Sequence, residues 1–191
     1  MIENIKQEKL AKAKKMMLLF GLLSITMTFA GLTSAYIVSK GRPDWTMDFN
    51  LPSEFFYSTF IILLSSLTLF LSKRKLNSGK SINIVFNWTL LTFVLGIVFI
   101  VFQFIGFNNI IDQGYYFAGA QSAIKTSFIY VLSFLHIVHL VAGLIVLIIL
   151  MFNIKKGKYV DNNLGFNLGS NFWHFLDFLW LYLFSFFYFF G

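Results

Sequence analysis

The chain has 191 residues, no cysteine and a formal net charge of +7, with a mean hydropathy of +0.75. Its residues are 58% hydrophobic and only 12% charged, where a soluble domain carries about a quarter charged residues, so the composition is that of a membrane protein. Without cysteine there are no disulfides, thiolate-bound iron–sulfur clusters, thiolate copper sites or CxxCH haem attachments. The basic residues sit at the ends of apolar segments rather than in an aromatic-interleaved patch, which argues against a nucleic-acid partner.

In chain order, five apolar stretches are each long enough to cross a bilayer, which takes about 20 helical residues. They are predicted near 16–39, 53–72, 84–107, 126–154 and 168–190. None alternates apolar and polar residues as barrel strands do, so the segments are read as helices. The expected fold is all-α, a polytopic bundle of five transmembrane helices forming a single membrane domain over residues 1–191. The first segment follows the lysine-rich stretch KQEKLAKAKK. Its apolar run exceeds the roughly 7–15 residues of a signal-peptide core, so it is expected to remain as an anchor.

Basic residues set the expected orientation. The N-terminal stretch holds Lys6, Lys9, Lys12, Lys14 and Lys15, the second connection Lys73, Arg74, Lys75 and Lys80, and the fourth Lys155, Lys156 and Lys158. The opposite side has Lys40, Arg42 and Lys125. The positive-inside rule then puts the N-terminus in the cytoplasm and the C-terminus outside. The third connection, NNIIDQGYYFAGAQSAIK, is the longest and is expected to hold a short interfacial helix with Tyr115 and Tyr116 at headgroup level.

Ionisable groups inside hydrocarbon cost about 2.5–3.5 kcal/mol each on insertion scales and need a partner or a proton. On the fourth segment His136 and His139 stand three residues apart, and on the fifth so do His174 and Asp177, which places each pair on one helix face. At about 1.5 Å per residue, His139 and His174 lie at roughly the same depth, and His136 and Asp177 likewise. The expectation is an interhelical polar cluster of His136, His139, His174 and Asp177 that fixes helix register, with proton handling, partner contact and a metal or haem site as alternatives. Gln103 is expected to make a helix–helix hydrogen bond, and Ser65, Ser66 and Thr68 to serve packing. Gly21, Gly31, Gly96 and Gly143 are expected to permit close helix approach.

These features weigh against several functional classes. A self-contained haem protein wants histidines on facing helices, and His136 and His139 share one. Secondary transporters commonly show repeats and interrupted helices, whereas Pro43 and Pro52 both lie in the first connection. An intramembrane hydrolase would carry a motif such as HExxH or GxSxG, and neither occurs. A supporting subunit of a larger membrane complex suits the few ionisable groups and short loops.

The motifs carry a resemblance. FWHFLDFLWLYLF, from Phe172 to Phe184, resembles the W-H-F-x-D-x-x-W-x-x-x-F signature of the last helix of subunit III of haem–copper terminal oxidases. FLHIVHLVAGLIVL is similar to the preceding helix, with its H-x-x-H-x-x-x-G spacing on His136, His139 and Gly143. STFIILLSSLTLFL, LGIVFIVFQF and FGLLSITMTFAGLTSAY resemble the three earlier helices in order.

The resemblance implies a non-catalytic integral subunit of a cytochrome c oxidase, with quinol oxidase as the alternative. It implies no haem or copper on this chain, both being held by partner subunits. It also implies packing on the catalytic subunit I, support of proton uptake and turnover stability, and bound phospholipid. Its signature residues fall on Gln103, His136, His139, Gly143, Trp173, His174, Asp177 and Trp180. Two departures stand out. Many members have seven helices, and the five here match the last five. Many also have a glutamate directly after a serine in the first of these helices, where Ile25 follows Ser24, so that glutamate's proton-related role does not carry over. The basic bias suits a bacterial inner membrane, and the five-helix form is less expected of a mitochondrial one.

Overall fold

The computed structural model describes residues 2–42, 45, 51–79, 81–117, 124–159 and 162–190. It contains five α-helices: α1 (Ile2–Ser39), α2 (Glu54–Asn77), α3 (Ile82–Asp112), α4 (Ile124–Lys155) and α5 (Leu164–Phe190). All five are long and apolar enough to span a membrane.

Each helix outruns its predicted apolar span. Hydropathy marks where lipid ends, whereas the backbone stays helical until something stops it. Lys, Ala, Gln and Glu are strong helix formers, so α1 runs back through KQEKLAKAKK instead of starting near residue 16. Likewise α2 continues through Lys73, Arg74 and Lys75 and turns at Gly79, while α3 continues to Asp112 and turns at Gly114. Both glycines have positive φ (65° and 87°), a conformation that any Cβ would strain. The extension of α3 consumes the first part of the third connection. Of the interfacial helix expected there, residues 118–123 lie outside the described residues; Tyr115 packs on the core and Tyr116 is exposed.

The helices α2, α3, α4 and α5 form a closed ring in which each touches its two neighbours, α5 returning to α2. α1 lies outside the ring and packs only on α4 and α5 among the described residues. Its attachment is a single stripe at helical spacing. Phe29 meets His139 of α4, Thr33 hydrogen-bonds Tyr182 of α5 at 2.8 Å, and the Tyr36 hydroxyl donates to the Phe190 carbonyl at 3.2 Å. The Tyr36 ring is further packed by Trp45, Phe128 and Phe186. Only 11% of the apolar window of α1 is buried, against 33–44% for the other four helices, so the first helix is the most weakly enclosed.

These contacts also fix which ends lie together. Tyr36 near the end of α1 reaches Phe190 at the end of α5, so the two helices run parallel. At the opposite end, Asn163 before α5 donates to Asn77 at the end of α2 at 3.3 Å. Lys14 of α1 shares a groove there with Asn153 and Tyr159. The start of α1, the α2–α3 turn and the α4–α5 turn therefore form one face, and that face carries the basic clusters, Lys80 being outside the described residues.

Small residues set how closely the ring closes. A Cβ on Gly96 of α3 would sit 2.7 Å from Trp173 Cη2, and one on Gly143 of α4 would sit 2.8 Å from Leu176 Cδ1 and 3.1 Å from Trp173 Cε3. Gly169 of α5 is pressed against Leu150 and Val146 in the same way. Gly21 and Gly31 of α1 have no neighbour within 4 Å. The expectation that they bring helices together is thus not met among the described residues, because none of them puts a helix opposite that face of α1. Gly96→Ala should therefore cost about 1–3 kcal/mol of stability from overpacking against a rigid indole. Gly21→Ala, which meets no neighbour and gains helix propensity, should not lower stability, as measured by thermal unfolding in detergent.

Candidate functional site

The polar side chains inside the bundle are organised by α2. Its hydroxyl residues Ser58, Thr59 and Ser65 donate to carbonyls of their own helix: Ser58 and Thr59 to Phe55, at 3.0 and 2.7 Å, and Ser65 to Ile62, at 2.8 Å. A hydroxyl has one proton and two lone pairs, so each oxygen remains an acceptor. Gln103 Nε2 of α3 donates to Ser58 at 2.8 Å, Trp180 Nε1 of α5 to Thr59 at 2.9 Å, and Trp173 Nε1 of α5 to Ser65 at 3.2 Å. Further along α2, Thr68 pairs with Thr92 at 2.8 Å and Ser72 with Thr89 at 2.9 Å, both on α3. α2 is thus a rail of hydroxyls along which α3 and α5 are hydrogen-bonded.

Trp173 and Trp180 are seven residues apart, two turns on one face of α5, and both are fully buried. The Trp173 indole lies against Gly96 of α3 and Gly143 of α4 while its N–H reaches Ser65 of α2. A single side chain therefore touches all three other helices of the ring. Trp180 stacks on Phe55 of α2 at 6.0 Å and meets Phe99 of α3 edge-on at 5.0 Å. It also faces His136 of α4 at 5.2 Å.

The four ionisable residues expected to cluster do not come together. His136 is completely buried between Phe99 and Trp180, and neither ring nitrogen has a hydrogen-bond partner among the described residues. His139 is half-buried; its Nδ1 lies 2.8 Å from the Leu135 carbonyl of its own helix and its ring abuts Phe29 of α1. His174 and Asp177 instead face α2: His174 Nδ1 is 2.7 Å from Ser66 Oγ and 3.9 Å from Asp177 Oδ2. His136 lies against Trp180 rather than Asp177, and azimuth separates the others. Positions three apart differ by about 60° around a helix, and α4 is flanked by α3, α5 and α1. That rotation hands its two histidines to different neighbours.

Among the described residues, no three His, Asp or Glu side chains converge into a metal-holding group. Asp177 is 2% exposed, with no hydrogen-bond partner on either oxygen among the described residues. The His174–Asp177 separation is beyond hydrogen-bond reach. Of the hydroxyls that receive Trp173 and Trp180, Ser65 was expected only to serve packing and Thr59 was not singled out. Their signal was a separation of six residues on α2, close to the seven between the two tryptophans.

Comparison with known proteins supplies the remaining finding. The sequence matches the family described as Cytochrome c oxidase subunit III over residues 8–191. It is 36% identical over 138 residues to a cytochrome bo(3) ubiquinol oxidase subunit 3 of Buchnera aphidicola, covering 70% of this chain and 67% of that one. Against the protein of the same name from Pseudomonas aeruginosa it is 32% identical over 169 residues, covering 86% and 78%. With a cytochrome c oxidase subunit 3 from a Bacillus species it shares 30% identity over 167 residues, covering 84% and 77%.

The interhelical bond between Trp180 and Thr59 is measurable by itself. In a double-mutant cycle of Trp180→Phe and Thr59→Val, unfolding in detergent should return a coupling of about 0.5–1.5 kcal/mol, the range found for bonds between membrane helices.

Proposed function

The chain belongs to the cytochrome c oxidase subunit III family, and on that premise we propose that it is a cofactor-free subunit supporting the catalytic subunit of its oxidase. As a member of this family it is an integral membrane component of a terminal oxidase complex. In the proposal it has no catalytic residues of its own. Oxygen reduction takes place on haem and copper in the partner that carries them, subunit I, against which this chain packs. It sustains proton uptake and keeps the complex stable through turnover.

The observation that carries this reading is the family match over residues 8–191. The use of the polar interior supports it: Trp173, Trp180 and Gln103 direct their N–H groups to hydroxyls of α2, so these signature positions hold the bundle together. In this reading the face with the basic clusters lies in the cytoplasm of a bacterial cell and the membrane is the inner one. A groove of about 520 Å³ between α1 and the α4–α5 pair runs from Lys14 down to Val146, Leu168 and Phe172. A cationic mouth above apolar walls suits a phospholipid.

The electron donor has two readings. The family description names cytochrome c, whereas the Buchnera and Pseudomonas relatives are named ubiquinol oxidase subunits. Cytochrome c oxidase is kept as the first reading. Oxidation of reduced cytochrome c, but not of ubiquinol, by the purified complex would support it, and the reverse would replace it.

Copurification tests the main proposal: affinity capture of this chain from membranes should bring down a haem- and copper-bearing subunit, while the isolated chain shows no Soret band. Asp177→Leu should lower the yield of assembled complex and shorten its turnover lifetime more than it lowers the initial rate of oxygen reduction per haem. Immediate haem loss in that variant would contradict a supporting role.

A further inference from the structure

Between α3 and α4, three fully buried polar side chains carry atoms that no protein group satisfies. They are Oε1 of Gln103, Oγ of Ser133 and both ring nitrogens of His136, unpartnered among the described residues. Ser58, Thr59 and Ser65 of α2 close on carbonyls of their own helix. Ser133 does not.

The packing of the two helices puts these groups at one level. Phe99 of α3 meets His136 of α4 at 5.9 Å, and Phe107 meets Tyr130 at 5.4 Å. The Tyr130 hydroxyl also donates to the Phe107 carbonyl at 3.3 Å. Gln103 is four residues from both Phe99 and Phe107, on the same face of α3. Ser133 is three residues from both Tyr130 and His136, on the same face of α4. Gln103 and Ser133 are therefore level and face each other, with His136 one turn away. Each stands nine residues from the end of its helix remote from the basic clusters, about 13 Å along the axis.

Their hydrogen-bonding capacities complement one another and are unspent. Ser58 gives its proton to the Phe55 carbonyl at 3.0 Å, so it accepts from Gln103 Nε2 at 2.8 Å. That bond turns the amide nitrogen to α2 and leaves Oε1 with its lone pairs free. Ser133 keeps a proton and lone pairs, and an imidazole is both donor and acceptor. A polar group enclosed inside a membrane bundle is costly unless it finds a partner there. Buried water serves such sites, typically with about three hydrogen bonds to otherwise unsatisfied polar atoms.

We propose that a structural water is bound between α3 and α4, donating to Gln103 Oε1 and hydrogen-bonded to the Ser133 hydroxyl and a ring nitrogen of His136. It gives His136 the partner that the aromatic walls of Phe99 and Trp180 withhold. It also ties α4 to α3 where Gln103 ties α3 to α2. A direct bond from Ser133 to Gln103 is the poorer arrangement, because it leaves both imidazole nitrogens unsatisfied. The proposal stands apart from the question of which complex the chain joins.

Two measurements on the full-length protein test it. A cryo-EM map of the complex that copurifies with this chain, sharp enough to show ordered water, should hold one peak within hydrogen-bond distance of all three side chains. An empty gap, or a Ser133 hydroxyl bonded directly to Gln103, would overturn the proposal. The second is a double-mutant cycle of Gln103→Met and His136→Phe, followed by unfolding in detergent. No hydrogen bond joins these two side chains directly, so a shared water is what couples them. The rise in unfolding constant for the pair should fall about threefold short of the product of the single rises, the scale of one interhelical hydrogen bond in a membrane. Rises that simply multiply would count against the water. If either variant fails to fold, the map of the unaltered protein decides.

Discussion

A tryptophan that fills a gap between two glycines can do so only if both glycines remain bare. Gly96 of α3 and Gly143 of α4 leave a slot that the Trp173 ring occupies, and a Cβ on either would meet it at about 3 Å or less. The same ring turns its N–H to Ser65 of α2. Close packing of α3 and α4 and the rotation of α5 are thereby fixed by one side chain. In a membrane there is no hydrophobic drive between helices, so van der Waals fit and interhelical hydrogen bonds must supply the association. Trp173 supplies both.

Turning α5 so that Trp173 and Trp180 point inward also determines where the other residues of its signature go. His174 and Asp177 are carried to the side facing α2, where Ser66 meets the imidazole. Trp180 is carried against His136, whose ring then lies sealed among Phe99 and Trp180. The signature is therefore not a set of residues converging on one point. It is a helix whose two indoles lock three neighbours and whose two ionisable groups are left at the margin of the bundle.

α1 stands apart from this scheme. It is held by a stripe of Phe29, Thr33 and Tyr36 on the outside of α4 and α5. Its own hydroxyls Thr26 and Thr28 donate back to carbonyls of the helix, to Leu22 at 2.9 Å and Ser24 at 3.0 Å. Such bonds satisfy a hydroxyl without a second helix. α1 can consequently face lipid over most of its girth. In the ring of α2 to α5, by contrast, Gln103, Trp173 and Trp180 commit their N–H groups to hydroxyls of a neighbouring helix.

How much of this was legible in the sequence follows from what each signal measures. Apolar run length and the placement of lysines reveal how many times the chain crosses a bilayer, because the cost of burying charge in hydrocarbon acts on each segment locally. The tryptophan–histidine–aspartate signature is also local, and it identified the family. Helix ends differed from the apolar spans by between zero and fourteen residues, since helix propensity and glycine turns, rather than hydropathy, end a helix. The polar cluster was missed because spacing along a helix gives depth and relative angle but not which neighbour stands at that angle. Only the closed ring, with α1 outside it, decided that His136 meets Trp180, that His139 meets Phe29 and that His174 meets Ser66. Those pairings arise from the simultaneous fit of five helices, a property that no single segment carries.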